Sequence, residues 1–138
     1  MSLKVSMNYV NDDTFEVVNN SNNKLLIDMC DPEKKLHLSP MELLLSALTT
    51  CAAVEIVSMI KKRKRDFKDI KAETIGNRVD NPPMFFKSIN VKYIIYSSDL
   101  TDNEAERYIS LSLDKYCSVG ATINEKTEIN HSFKIIRK

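Results

Sequence analysis

Apolar and polar residues alternate over the first thirty positions. Leu3, Val5, Met7 and Tyr9 take every second place, Asn11-Asp12-Asp13 reads as a turn, and Phe15 and Val17 resume the period. A second turn, NNSNN at Asn19–Asn23, precedes the apolar run Leu25–Met29, and Asp31-Pro32 closes the set. A period of two punctuated by turn residues predicts a strand meander. The pattern then changes. In Ser39-Pro40-Met41-Glu42 the serine can cap free amides, the proline suits the first helical position and the glutamate completes a capping box. The helix so opened runs to about Lys62. It is apolar nearly all round, so it is expected to be buried on most sides, in part against a partner chain.

Two further strand patterns follow. Ile70, Ala72 and Thr74 form a weak one, and Ile89, Val91, Tyr93 and Ile95 a clear one. Gly76–Phe85 reads as an extended loop between them. Thr101-Asp102-Asn103-Glu104 is a second capping box, and its helix carries Ala105, Tyr108, Ile109, Ser112, Leu113 and Tyr116 along one stripe as far as the region of Gly120. Thr127, Ile129, His131, Phe133 and Ile135 alternate as a last strand. The order βββ-α-ββ-α-β predicts an α+β fold, a sheet with two helices, one of them long, central and deeply buried. At 138 residues it is expected to form a single domain, 1–138.

Composition narrows the function classes. Hydrophobic residues make up 43% and charged residues 28%, enough for a core, and 20 basic against 19 acidic side chains leave a net charge of +1. That balance argues against a dedicated nucleic-acid or membrane-surface protein, so neither partner is expected. Leu43–Ile60 approaches spanning length, and KKRKR at Lys61–Arg65 follows it. Glu55 interrupts that run, however, and a carboxylate near the middle of a span costs about 2.5–3.5 kcal/mol. The run is therefore read as a core helix whose basic tail complements the dipole. The opening MSLKVSMNYV lacks a charged-then-apolar leader, and three cysteines without tight spacing do not make a secreted disulfide framework. A reducing cytoplasm is the expected compartment.

The candidate chemistry lies in two thiols. Cys51 falls inside the long apolar helix, and Cys117 follows the second helical pattern in KYCSVGAT. They are either a redox pair, working by thiolate attack and disulfide closure, or two cysteines packed as small hydrophobes. Glu55, one turn beyond Cys51, either accepts its proton or holds a cation, or is a partly buried carboxylate with a basic partner. Glu42 is a further acid candidate, although the capping box accounts for it. Arg78 in the loop is the candidate cation, or else a solvated arginine. Cys117 is expected at a helix C-terminus, where the dipole disfavours a thiolate, as suits a resolving thiol. Cys30 is assigned no role, His37 lies in a loop, and His131 reads as a satisfied core histidine. No metal spacing, phosphate loop or dinucleotide motif appears, so no cofactor or metal is expected.

Three segments together, SPMELLLSALTTCAAVEIVSMIKK, NPPMFFKSINVKYII and LSLDKYCSVGAT, give the chain from Ser39 onward a resemblance to the OsmC/Ohr family, in its general OsmC-like (YhfA-type) branch. The resemblance implies a two-layer α+β fold and an intertwined homodimer with active sites at the subunit interface. It implies thiol-dependent reduction of organic hydroperoxides, with Cys51 attacking, Cys117 resolving and an external dithiol as reductant. Two positions depart from the hydroperoxide-resistance pattern: Met41 follows the helix-opening proline where those members carry glutamate, and no arginine precedes Arg63. The alternatives are a non-catalytic small-molecule or thiol-ligand binding module on the same fold, or another cysteine activity such as acyl or persulfide transfer.

Overall fold

The computed structural model describes residues 1–138 as two compact units, Met1–Leu44 and Leu45–Lys138. The first unit is the predicted meander. Strands β1 (Val5–Asn11), β2 (Thr14–Asn19) and β3 (Lys24–Asp28) form an antiparallel sheet in that order. Asp12 and Asp13 both take positive φ, at 44° and 58°, the conformation that a tight turn matched to strand twist requires. In the asparagine turn, Asn19 Oδ1 accepts from the amides of Ser21 at 3.0 Å and Asn23 at 2.9 Å. Asp28, 1% exposed, then gathers the segment that follows. Its carboxylate accepts from Lys35 Nζ and from the amides of Cys30, Leu36 and His37. Burial alone would raise the Asp28 carboxyl; Lys35 and the three amides outweigh it and hold the group below the usual carboxylate range.

Helix α1 (Pro40–Lys62) starts as predicted. The Ser39 amide and hydroxyl both donate to Glu42 Oε1, and the Glu42 amide donates back to Ser39 Oγ. Within this chain α1 is fully buried along one stripe and half-buried over most of the rest. Leu48, Ala52, Ile56 and Ile60 form one buried stripe at intervals of four, whereas Val54 is 67% exposed. Ser46, Thr49 and Thr50 fit an apolar helix because hydroxyls can bond backward along it, as Thr49 does to the Leu45 carbonyl and Thr50 to that of Ser46. By length and composition alone, α1 could also cross a membrane.

In the second unit β4 (Asp69–Arg78), β5 (Phe86–Tyr96) and β6 (Glu128–Ile136) form a sheet of that order, with β4 antiparallel and β6 parallel to the central β5. A parallel partner needs a long crossover, and the helical segments between β5 and β6 provide it. Phe86, Ile89, Val91, Tyr93 and Ile95 of β5 are all buried, as the period of two requires. The expected loop at Gly76–Phe85 is shorter than predicted, because Gly76, Asn77 and Arg78 still pair with β5. Gly76 permits this close approach: a Cβ there would meet the Phe86 ring at 2.4 Å.

The second predicted helix is also broken. Thr101 caps α2 (Asp102–Leu111) in a complete capping box with Glu104, but Ser112–Tyr116 form a π turn and Cys117 leaves helical geometry at φ −74°, ψ 110°. A short α3 (Ser118–Ile123) follows. The π turn closes with the Cys117 amide on the Ser112 carbonyl at 2.7 Å, which a periodicity of 3.6 cannot signal. His131 is not a core residue. Its ring Nε2 lies 2.9 Å from a Glu106 carboxylate oxygen at a half-buried surface.

Candidate active site

Helix α1 and the turn after the π segment bring two of the predicted residues together. Cys51 is half-buried on α1, and Cys117 is 2% exposed at the N-cap of α3. The two thiols are close enough that each shifts the other's acidity, and the one hydrogen of the Cys117 thiol points to the Leu48 carbonyl. The Leu48 carbonyl is 3.9 Å from the Cys117 sulfur, and the Gly120 amide donates to that sulfur at 3.3 Å.

The pair is electrically unequal. The Cys51 thiol is pulled below its ordinary pKa, first by the amide N–H of Val119, then by the Cys117 thiol and the amide of Ser118. Desolvation and the Glu55 carboxylate oppose this without reversing it. Cys117 is pushed up, chiefly by burial and then by the Cys51 sulfur beside it, against the pull of the Gly120 amide. Cys51 is thus the group that ionises first, and Cys117 stays protonated next to it. Cys117 does sit at a helix C-terminus, as the C-cap of the π turn, but it is at the same time the N-cap of α3, whose Gly120 amide donates to its sulfur.

Glu55 belongs to this neighbourhood, since its charge acts on Cys51, and it acts against the thiolate. The other two predicted residues are engaged elsewhere. Glu42 is held by Ser39 and lies 3.9 Å from Lys35; the Ser39 amide and hydroxyl lead the effects that keep its carboxyl below the usual range. Arg78 donates through Nε to the Met84 carbonyl at 2.6 Å, fastening the end of β4 to the following loop. A cation is not among the main influences on Cys51.

Tyr93 was missed as a site residue. It is fully buried on β5, and its hydroxyl donates to the Thr49 carbonyl at 2.8 Å, two residues before Cys51. Burial first, and then the charges of Cys117 and Cys51, push its phenol upward, so it remains a neutral donor. The signal was available: a tyrosine at an inward position of an apolar strand must find an acceptor. Thr49 adds a second tie through its hydroxyl, 2.6 Å from that of Thr74 on β4. The amides of Ser118, Val119 and Gly120 were missed as well, and backbone donors leave no mark in side-chain patterns.

Known proteins match this architecture. The model of the family described as OsmC-like protein matches residues 32–132. Protein YhfA of Escherichia coli strain K12 is 34% identical over 98 residues, which cover 71% of this chain and 73% of that protein. A crystal structure of a hypothetical protein from Aquifex aeolicus VF5 superposes with a TM-score of 0.88 at 25% identity, covering 100% of this chain and 98% of the other. An organic hydroperoxide resistance protein OsmC from Legionella pneumophila shares the fold at a TM-score of 0.72, with 16% identity over 97% of both chains. With its family model spanning most of the length and its α+β order reproduced in solved relatives, the chain belongs to the OsmC-like protein family.

Proposed function

We propose that this protein reduces organic hydroperoxides through a two-cysteine cycle. One observation carries the reading: a thiol made more acidic by amide donors has beside it a second thiol that burial keeps protonated. The Cys51 thiolate attacks the distal peroxide oxygen, the O–O bond breaks, and the alkoxide leaves as an alcohol after taking a proton. Cys51 becomes a sulfenic acid. Cys117 then attacks the Cys51 sulfur, the S–O bond breaks, water leaves and a disulfide forms. An external dithiol returns both thiols by exchange, and a reducing cytoplasm would supply it.

In this reading the amides of Val119 and Ser118 serve as the electrostatic activators of Cys51, which accommodates the lack of an arginine before Arg63. Glu55 tempers the thiolate and serves in this reading as the acceptor of the Cys51 proton. Glu42 and Arg78 remain candidates for the same chemistry, and their substitution tests them. A homodimer is part of the proposal. The exposed apolar positions Val5, Met7 and Tyr9 of β1 and Val54 of α1 support it, since apolar surface of this kind is ordinarily covered.

Stopped-flow mixing of the reduced protein with cumene hydroperoxide tests the cycle. The expected result is loss of two thiols per chain with disulfide formation, abolished in Cys51→Ser; thiols that survive excess peroxide overturn it. A second reading, a thiol-ligand binding module, is favoured by Met41 and by the want of a cation among the main influences on Cys51. Titration of the Cys51 thiol against alkylation rate separates the two, because a binding module has no need of a thiolate at neutral pH.

A further inference from the structure

The basic run at the end of α1 does not behave as one solvated patch. Arg65 is neutralised: its Nε lies 3.0 Å from Glu104 and its Nη1 4.0 Å from Asp99. Arg63, two residues earlier, makes no ion pair, and neither does Arg107 on α2. Yet Arg63 and Arg107 line one cavity of about 250 Å³, together with Asn103, Glu104 and Tyr108. Like charges from two separate elements converge there without a carboxylate for each.

We propose that this cavity binds a small phosphomonoester through its phosphoryl group. Two arginines lining one space repel each other, and an anion between them turns that repulsion into attraction. The planar fork of each guanidinium matches the oxygens of a phosphoryl group, and a dianion satisfies both forks at once. Asn103 adds a side-chain amide, and the first turn of α2 adds the positive end of the helix dipole.

Glu104 in the wall does not bar an anion, because its charge is already committed. The carboxylate accepts from Arg65 Nε at 3.0 Å, from the Thr101 amide at 3.1 Å and from the Thr101 hydroxyl at 2.9 Å. The Tyr108 hydroxyl is turned to the same carboxylate at 3.4 Å, which leaves its ring as an apolar wall. The space is smaller than the roughly 300–1,000 Å³ of sites that enclose a drug-sized ligand, so it admits a phosphoryl group with a short substituent. A net charge of +1 over the chain does not suit a long polyanion. The proposal is independent of the thiol chemistry above.

Isothermal titration calorimetry at low ionic strength tests it, with inorganic phosphate, glycerol 3-phosphate and a single-stranded oligonucleotide as probes. Glycerol 3-phosphate is expected to bind one per chain, and inorganic phosphate alone more weakly. Arg63→Gln and Arg107→Gln should each weaken binding by about tenfold or more, as loss of a charge-assisted hydrogen bond does. Lys62→Gln and Lys64→Gln, outside the cavity, should leave it unchanged, and circular dichroism should show all four variants folded. Absence of heat at about 10 mM ligand overturns the proposal. So does equal weakening by the lysine variants, which would mean diffuse attraction, or preferred binding of the oligonucleotide, which would mean a polyanion surface.

Discussion

Cys30 and Cys51 are both half-buried thiols, and their surroundings are opposite. In the first unit Cys30 gives its hydrogen away, to the Asp12 carbonyl at 2.9 Å. It lines a cavity of about 470 Å³ with Asp12, Asp13, Asp28 and Asp31, where carboxylates outnumber Lys34. In the second unit the amides of Val119 and Ser118 and the Cys117 thiol all act to favour a thiolate at Cys51. The two thiols thus differ in what faces them, a carbonyl and carboxylates at Cys30 against groups that favour a thiolate at Cys51.

The largest expected effect that tests this contrast is Cys51→Ser, which should abolish peroxide-dependent thiol loss while Cys30→Ser leaves the rate unchanged in the same stopped-flow assay. If Cys30→Ser slows it comparably, the contrast is broken. Cys117→Ser comes next. A single peroxide should still be reduced, but no disulfide forms, and the Cys51 sulfenic acid should be trapped by dimedone in mass spectrometry. In Cys117→Ala, which leaves no side-chain donor there, the Cys51 thiol should titrate higher.

Glu55→Gln sharpens the comparison from the other side. Glu55 raises the Cys51 pKa, so its neutral variant should move the acid limb of the rate–pH profile to lower pH. A limb that stays in place would remove Glu55 from the site. Tyr93→Phe, which loses the bond to the Thr49 carbonyl, should cost about 1 kcal/mol of stability in urea unfolding. The smallest effect concerns acid. Asp66 is held at about 2, first by Lys68 and then by Ser98, and Glu104 at about 2, first by Arg65. Both carboxyls have folded pKa values below their unfolded ones, near 3.8 and 4.5. Their contribution is complete above about 4.5 and is lost as pH falls toward about 2, so the thermal midpoint should decline across that window.

Much of this molecule could be read from its residues. The capping boxes at Ser39 and Thr101 fixed two helix starts, and the alternation from Ile89 to Ile95 fixed the central strand, because local hydrogen bonding and the period of two are properties of adjacent residues. The π turn at Ser112–Tyr116 could not be read in this way. The stripe Tyr108, Ser112, Leu113, Tyr116 looks helical whether or not one bond skips a residue, and that single skip makes Cys117 the start of a new helix as well as the end of the old one. A redox pair of Cys51 and Cys117 is one of two readings the residues allow, and the resemblance assigns the attacking and resolving roles, whereas the polarity of the pair rests on backbone amides that only coordinates reveal. The partial exposure of α1 beyond its one stripe was also hidden, since an apolar face looks the same in sequence whether its cover lies within the chain or outside it.

The chain contains two glycines, and the structure gives them different evolutionary freedom. A methyl group at residue 120 would meet the Leu113 carbonyl at 3.3 Å, a crowding that a slight shift can relieve. One at residue 76 would strike the Phe86 ring at 2.4 and 2.6 Å and Leu45 Cδ2 at 2.9 Å. A side chain at residue 76 therefore requires both Phe86 and Leu45 to give way, which couples that position to two others.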